Sequence, residues 1–341
     1  MKNKPFIQML KKAYHEKRRL VAPLLGFPGL NMIRCNIKVT QQNYGRHFQV
    51  IKAISDTFQP DIVFPLMDLS VEANALGNYT IFPKDDSATV IKEETSLDES
   101  LKFPDVNISY DTRLLGYVET IKLMDIGLSS SILKGAYVTG PYSLAALIIG
   151  AEEAAMSTVM EPKKLELLCQ FATDKIQKYV NLLIAAGAQV ICILEPSAVM
   201  LGPEQFEQFS SNFVSHISKS CQFTNAATIY HTCGNIMHLI DQMVSSGVDG
   251  ISLDSQSAGV DLPAVAEQIP EETAIIGNIS PTETMLTGTE KKVKNEVIEL
   301  LEQMEMFPNF VLSTGCDLPQ EVPIDNLHAF MESGRKYKLK K

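Results

Sequence analysis

The stretch Ala227-Thr-Ile-Tyr-His231-Thr-Cys233-Gly234-Asn235 decides how the chain is read. It is a short β-rich run that ends in chemistry-bearing residues and passes into a helical pattern. A strand without polar alternation is one buried on both faces, as in a parallel sheet covered by helices. Runs of this kind recur, and the eight of them span residues 20–26, 61–67, 135–139, 189–194, 227–231, 248–253, 274–277 and 310–314. Between them lie helical patterns at 41–58, 112–126, 144–160, 162–186, 203–219, 236–246, 262–268 and 290–304, with a closing helix at 323–337. Pro and Gly punctuate the junctions. Eight strands alternating with helices predict an α/β fold, a single (β/α)8 TIM barrel.

Two segments fall outside this rhythm. Residues 4–18, within an N-terminal extension at 1–19, read as a helix outside the repeat. Residues 78–104 are rich in Thr, Asp, Glu and Lys and read as an insert after strand two, with a hairpin from 79–82 and 88–91. No linker is long enough to separate domains, so residues 1–341 read as one.

Composition narrows the classes. Hydrophobic residues make up 45% and charged residues 21% of the 341 positions, the balance of a globular protein with a sizeable core. A net charge of −10 with no basic run argues against nucleic acid as a main partner. The basic amphipathic N-terminus lacks the apolar centre of a signal peptide, and the longest apolar stretch, 144–150, is far below membrane-spanning length. Six cysteines at 35, 169, 192, 221, 233 and 316 show no framework spacing. They read as reduced thiols, and the location as cytoplasmic.

In a barrel of this kind the chemistry gathers at the carboxyl ends of the strands. The residues there are Gly26, Asp68, Gly140-Pro141, Glu195-Pro196-Ser197, His231 and Cys233, Asp254, Gly277-Asn278 and Cys316, the last within Ser313-Thr-Gly-Cys316-Asp317. One imidazole and two thiolates are ligand types that hold Zn²⁺ with a position left open. His231, Cys233 and Cys316 are therefore the expected metal ligands. Glu195 is either a fourth ligand with a catalytic part or an acid that caps a helix. Asp68 either orients a substrate or supports the metal, or is a satisfied acid at a strand end. Asp254 and Asn278 read as residues lining a cofactor site. Cys169 and Cys192 read as core, and His47, His216 and His328 as surface or core residues. An open Zn²⁺ with two thiolates suits lowering the pKa of a substrate thiol, and the chemistry of the residues goes no further.

Several stretches resemble the uroporphyrinogen decarboxylase superfamily, within it the branch of methylcobamide:coenzyme M methyltransferases. They are Pro65-Leu-Met-Asp68-Leu-Ser-Val-Glu72-Ala-Asn-Ala-Leu-Gly77, Thr139-Gly-Pro-Tyr-Ser-Leu-Ala145, Glu195-Pro-Ser197, His231-Thr-Cys-Gly234, Gly277-Asn-Ile-Ser-Pro281 and Gly315-Cys-Asp-Leu-Pro319. The His-x-Cys…Cys set is the specific part of the likeness. The resemblance implies a TIM barrel with Zn²⁺ on His231, Cys233 and Cys316, and methyl transfer from a methylated corrinoid. Since no corrinoid-binding Asp-x-His-x-x-Gly segment is present, the corrinoid is expected on a separate small protein. The expected acceptor is a thiol such as coenzyme M, with tetrahydrofolate as the alternative. A uroporphyrinogen-type decarboxylase is disfavoured, because Arg18-Arg19-Leu-Val-Ala-Pro-Leu-Leu-Gly-Phe-Pro lacks the arginine motif that holds the substrate's carboxylates.

Overall fold

A computed structural model describes residues 4–91, 96–101 and 106–340. Eight parallel strands run in the places expected: β1 Leu20–Val21, β2 Ile62–Val63, β3 Leu133–Thr139, β4 Val190–Leu194, β5 Ala227–Thr232, β6 Gly250–Leu253, β7 Ala274–Ile279 and β8 Phe310–Thr314. They lie side by side in the order β1-β8-β7-β6-β5-β4-β3-β2. Every strand residue is buried, which is why these runs lack polar alternation.

The sheet rolls into a (β/α)8 barrel whose seam lies between the two shortest strands. Asp61 bridges it: its backbone N–H donates to the Val21 carbonyl at 3.0 Å, and its Oδ2 accepts from the Val21 N–H at 2.7 Å. Alternate residues of the strands form one apolar cluster, including Leu20, Ile62, Tyr137, Cys192, Ile229, Ile276 and Val311. A larger cluster joins the remaining core to the helices outside.

The N-terminal helix, Pro5–His15, closes one end of this inner cluster. Phe6, Leu10 and Ala13 share one helical face and are buried against the strand side chains. Lys4 Nζ reaches Asp249 Oδ2 at 2.7 Å, with both side chains almost wholly buried. A segment that read as lying outside the repeat is thus part of the barrel's packing.

Two expected helices are broken, each by a residue with a clear reason. The 41–58 pattern divides at Asn43, whose side chain accepts from the Arg46 N–H and so starts a new helix, Tyr44–Phe58. The 144–160 pattern divides at Gly150, with φ +91°, into Pro141–Ile149 and Ala151–Met160. The two halves meet at 110°. Among the described residues no single helix is long and apolar enough to cross a membrane.

The hairpin expected in the insert is present, with Thr80–Ile81 antiparallel to Thr89–Val90. Residues 92–95 and 102–104 of the insert lie outside the described residues. Cys169 and Cys192 are core, as is His47, whose Nε2 accepts from the Leu66 N–H at 2.8 Å. Burial lowers the His47 pKa to about 4, so the ring is neutral at pH 7.

Candidate metal centre

His231 enters from β5, where the register places it opposite Ser252 of β6. The ring is buried, and Nδ1 lies 3.0 Å from Ser252 Oγ. This turns Nε2 towards two sulfurs, Cys233 Sγ at 3.3 Å and Cys316 Sγ at 3.7 Å. The sulfurs are 3.4 Å from each other. Three potential ligand atoms from distant parts of the chain therefore form one small triangle, and they are the metal-type cluster found among the described residues.

The turns that deliver the cysteines are built for close approach. Gly234 has φ +84°, a conformation that side chains rarely adopt, and its N–H donates to Asp254 Oδ2 at 2.7 Å. Asp254 Oδ1 accepts from the Ser255 N–H at 2.6 Å, and Asn278 Nδ2 donates to the Asp254 carbonyl at 2.9 Å. Asp254 and Asn278 thus buttress the Cys233 turn from below. Gly315 performs the matching task for Cys316, since a Cβ there would lie 2.5 Å from the Ser255 nitrogen.

The ionisation of the cluster is that of a set of mutual partners. The bond to Cys233, followed by burial, raises the Cys316 pKa far above an ordinary thiol. For His231, burial lowers the pKa but the hydrogen bond and charge of Cys316, with Asp254 and Asp317, outweigh it and raise the net value. Without metal the Cys316 thiol keeps its proton, which a metal ion would displace.

A family profile for uroporphyrinogen decarboxylase (URO-D) matches residues 46–337. The chain belongs to the URO-D family. The methylcobamide:CoM methyltransferase MtaA of Methanosarcina barkeri is 27% identical over 229 residues, covering 66% of this chain and 64% of that protein. The chain therefore matches a little under two thirds of that relative's length. The methylated-thiol–coenzyme M methyltransferase of Methanosarcina mazei is 25% identical over 274 residues, or 79% of this chain and 71% of that one. A uroporphyrinogen decarboxylase of Prochlorococcus marinus is 26% identical over 292 residues, or 82% of this chain and 80% of that one. The solved structure of a methyltransferase from Methanosarcina mazei superposes with TM-score 0.86 over 96% of both chains at 21% identity, a likeness of fold.

In this URO-D family member Glu195 does not join the metal-type cluster. Its buried carboxylate lies at the N-terminus of the helix Pro141–Ile149, accepting from the Tyr142 N–H at 3.0 Å, the Ser143 N–H at 2.8 Å and Ser210 Oγ at 2.8 Å. This is the helix-capping use of a strand-tip acid, across the β3–β4 boundary. Gly140 permits it, because any Cβ there would run into the Glu195 side chain. Burial raises the Glu195 pKa, and the bonds from Ser143, Ser210 and Tyr142 oppose that rise.

Asp68 sits in the loop that follows β2, in a network of its own. Oδ1 accepts from Ser70 N–H and Oγ at 3.0 and 2.7 Å, and Oδ2 accepts from Tyr117 Oη at 2.6 Å and from Arg113 Nη2. Beside it Glu72 accepts from the Thr139 N–H at 2.8 Å and Oγ1 at 3.0 Å. Burial, with a smaller contribution from the Asp68 charge, raises the Glu72 pKa to about 7. Arg113, Tyr117 and Ser252 were not among the expected site residues. Asp317 is a further such residue, and its adjacency to Cys316 is the sequence signal for it. Its Oδ2 is shielded from solvent with no hydrogen-bond partner among the described residues, and burial, then Cys316, raises its pKa well above that of a free carboxyl.

Proposed function

We propose that this protein is a zinc-dependent methyltransferase that moves a methyl group from a methylated corrinoid, carried on a separate small protein, to a small acceptor. The acceptor is a thiol such as coenzyme M, and the site of action is the cytoplasm. The observation that carries this reading is the triangle of His231 Nε2, Cys233 Sγ and Cys316 Sγ, with sides of 3.3, 3.4 and 3.7 Å. A tetrahedral Zn²⁺ with ordinary Zn–N and Zn–S lengths sets its ligand atoms about 3.5–3.8 Å apart, so the donor set fits the ion in size and in softness. The names of the Methanosarcina relatives support the choice of reaction within a family that also contains decarboxylases.

His231, Cys233 and Cys316 would hold the metal and leave one position open. Bound there, Zn²⁺ supplies the Lewis acidity that lowers the pKa of an arriving thiol. The chain does the rest by position. Ser252 fixes the His231 ring, Asp254 and Asn278 hold the Cys233 turn, and Asp68 stands in the loop after β2, where it would orient the acceptor. Glu195 contributes by anchoring the wall between β3 and β4 rather than by ligation. In the transfer, the acceptor's sulfur forms a bond to the methyl carbon as the cobalt–carbon bond breaks, and the electron pair stays with cobalt. Placement of the two reactants in one enclosed mouth lowers the barrier.

The test is a spectral assay with methylcobalamin, following the cobalt absorbance of zinc-loaded and metal-free protein with coenzyme M or tetrahydrofolate. Zinc-dependent turnover with coenzyme M is expected. Equal turnover by metal-free protein refutes the metal's role, turnover with tetrahydrofolate alone replaces the acceptor, and metal-free decarboxylation of uroporphyrinogen replaces the reaction.

A further inference from the structure

Arg113 carries more hydrogen-bonding capacity than the protein uses. It stands in the first turn of the helix Thr112–Gly127, and its side chain is 9% exposed. Nη2 donates to Asp68 Oδ2 and, at 2.9 Å, to Ser70 Oγ. The ring of Phe82, just after the first hairpin strand of the insert, lies 4.7 Å from the guanidinium carbon. The other two nitrogens, Nε and Nη1, are shielded from solvent and have no hydrogen-bond partner among the described residues.

This is an unusual state for a guanidinium. A buried donor without an acceptor loses its hydration and gains nothing in exchange, and the loss is greater for a charged group. Nor does Asp68 require all of Arg113, since Ser70 donates to it twice and Tyr117 once. The unmet donors adjoin the loop that follows β2, at the end of the barrel where such folds bind their substrates. A negatively charged reactant that gives up its hydration at this end of the barrel needs a compensating cation on the protein. A free guanidinium N–H offers an oxyanion a charge-assisted hydrogen bond, the stronger kind.

We propose that Arg113 binds the anionic group of the methyl acceptor, a sulfonate or carboxylate, through a charge-assisted hydrogen bond from Nε or from Nη1 as the Phe82 ring moves off the guanidinium. Arg113 then selects acceptors by charge, and Phe82 of the insert guards it. The inference rests on the methyl-transfer reading for the identity of the ligand, but its test does not need turnover.

The full-length protein is titrated by calorimetry with two inert anions, ethanesulfonate and p-aminobenzoylglutamate. Saturable binding of either is expected, and which one binds distinguishes a sulfonated thiol from a folate. Arg113→Gln keeps a donor for Asp68 while removing the charge, and should weaken binding at least tenfold. Arg113→Lys should restore part of it, and Phe82→Ala should tighten it. In turnover assays, Arg113→Gln should lower the ratio of kcat/KM for 2-mercaptoethanesulfonate to that for 2-mercaptoethanol by a similar factor. Thermal melting reports whether each variant is folded, and Arg113→Lys stands in should the glutamine variant melt early. Absence of anion binding by the parent protein, or binding indifferent to Arg113, overturns the proposal. An unchanged charge-selectivity ratio also overturns it, because an arginine that merely held Asp68 in place would affect both thiols alike.

Discussion

His231 and Ser252 face each other across the β5–β6 register, with Nδ1 3.0 Å from Oγ. The partner of one ring nitrogen decides what the other is free to do. If Nδ1 carries the proton and donates to Ser252, Nε2 presents its lone pair to the space between the sulfurs.

Ser252→Ala removes that restraint while leaving all three ligand atoms. Zinc affinity, measured by competition with a chromophoric chelator, is expected to fall about 10–100-fold, as is common when the outer partner of a ligating histidine is lost. Melting temperature should change little in comparison. An unaltered zinc affinity would show that packing alone holds the ring.

Cys316→Ala breaks the triangle on the side farthest away in sequence. Its Sγ lies 3.4 Å from that of Cys233 and 3.7 Å from His231 Nε2, so no remaining pair of donors can replace it. Zinc content should drop from one equivalent to none by atomic absorption, and methyl transfer should vanish with it. Far-ultraviolet circular dichroism should be preserved, because Cys316 closes the site and not the barrel. A variant that kept the metal yet lost activity would point to a role beyond ligation.

Acid stability offers a test of the buried core beside the site. His47 accepts from Leu66, packs edge-on against Tyr117 with ring centroids 5.2 Å apart, and has its pKa lowered by burial from 6.5 to about 4, with the Asp68 charge opposing the fall. The unfolded chain therefore binds this proton more readily than the folded one. The stabilisation is whole above pH 6.5 and is lost as pH falls towards 4, by about 3 kcal/mol in all. His47→Gln can still accept from Leu66 but does not titrate. Urea midpoints measured from pH 7 to 4 should thus fall less steeply for the variant than for the parent, and parallel curves would rule the histidine out.

The strands were readable because a run buried on both faces announces itself by composition, and the sulfur and imidazole ligands were readable because few other roles put those residues at strand tips. What was hidden depended on relations between segments. Ser252 is an unremarked serine until the register sets it opposite His231. Arg113 opens a helix as many surface arginines do, and only the fold brings it beneath Phe82 and against Asp68. The break at Gly150 was written in the sequence, but the apolar pattern continues across it and masks the turn. Glu195 is ambiguous for a more basic reason: an acid at a strand tip has the same spelling whether it meets a metal ion or the N–H groups that begin a neighbouring helix.

That ambiguity yields the last prediction. Both Glu195 oxygens are in use, one by Tyr142 N–H and Ser210 Oγ, the other by Ser143 N–H. In Glu195→Gln one oxygen survives, while the amide nitrogen is forced against backbone donors at the start of Pro141–Ile149. Loss of the negative charge at a helix N-terminus and of one buried hydrogen bond should together cost about 2–3 kcal/mol of stability. Zinc affinity should remain within about twofold, since no ligand has been removed, and activity should fall only as far as the β3–β4 wall relaxes. A metal ligand would give the reverse pattern, with affinity lost by orders of magnitude and stability of the metal-free protein preserved or improved by relief of a buried carboxyl. Chelator competition and urea unfolding of the metal-free protein, run side by side on this single variant, therefore separate the two uses of the acid.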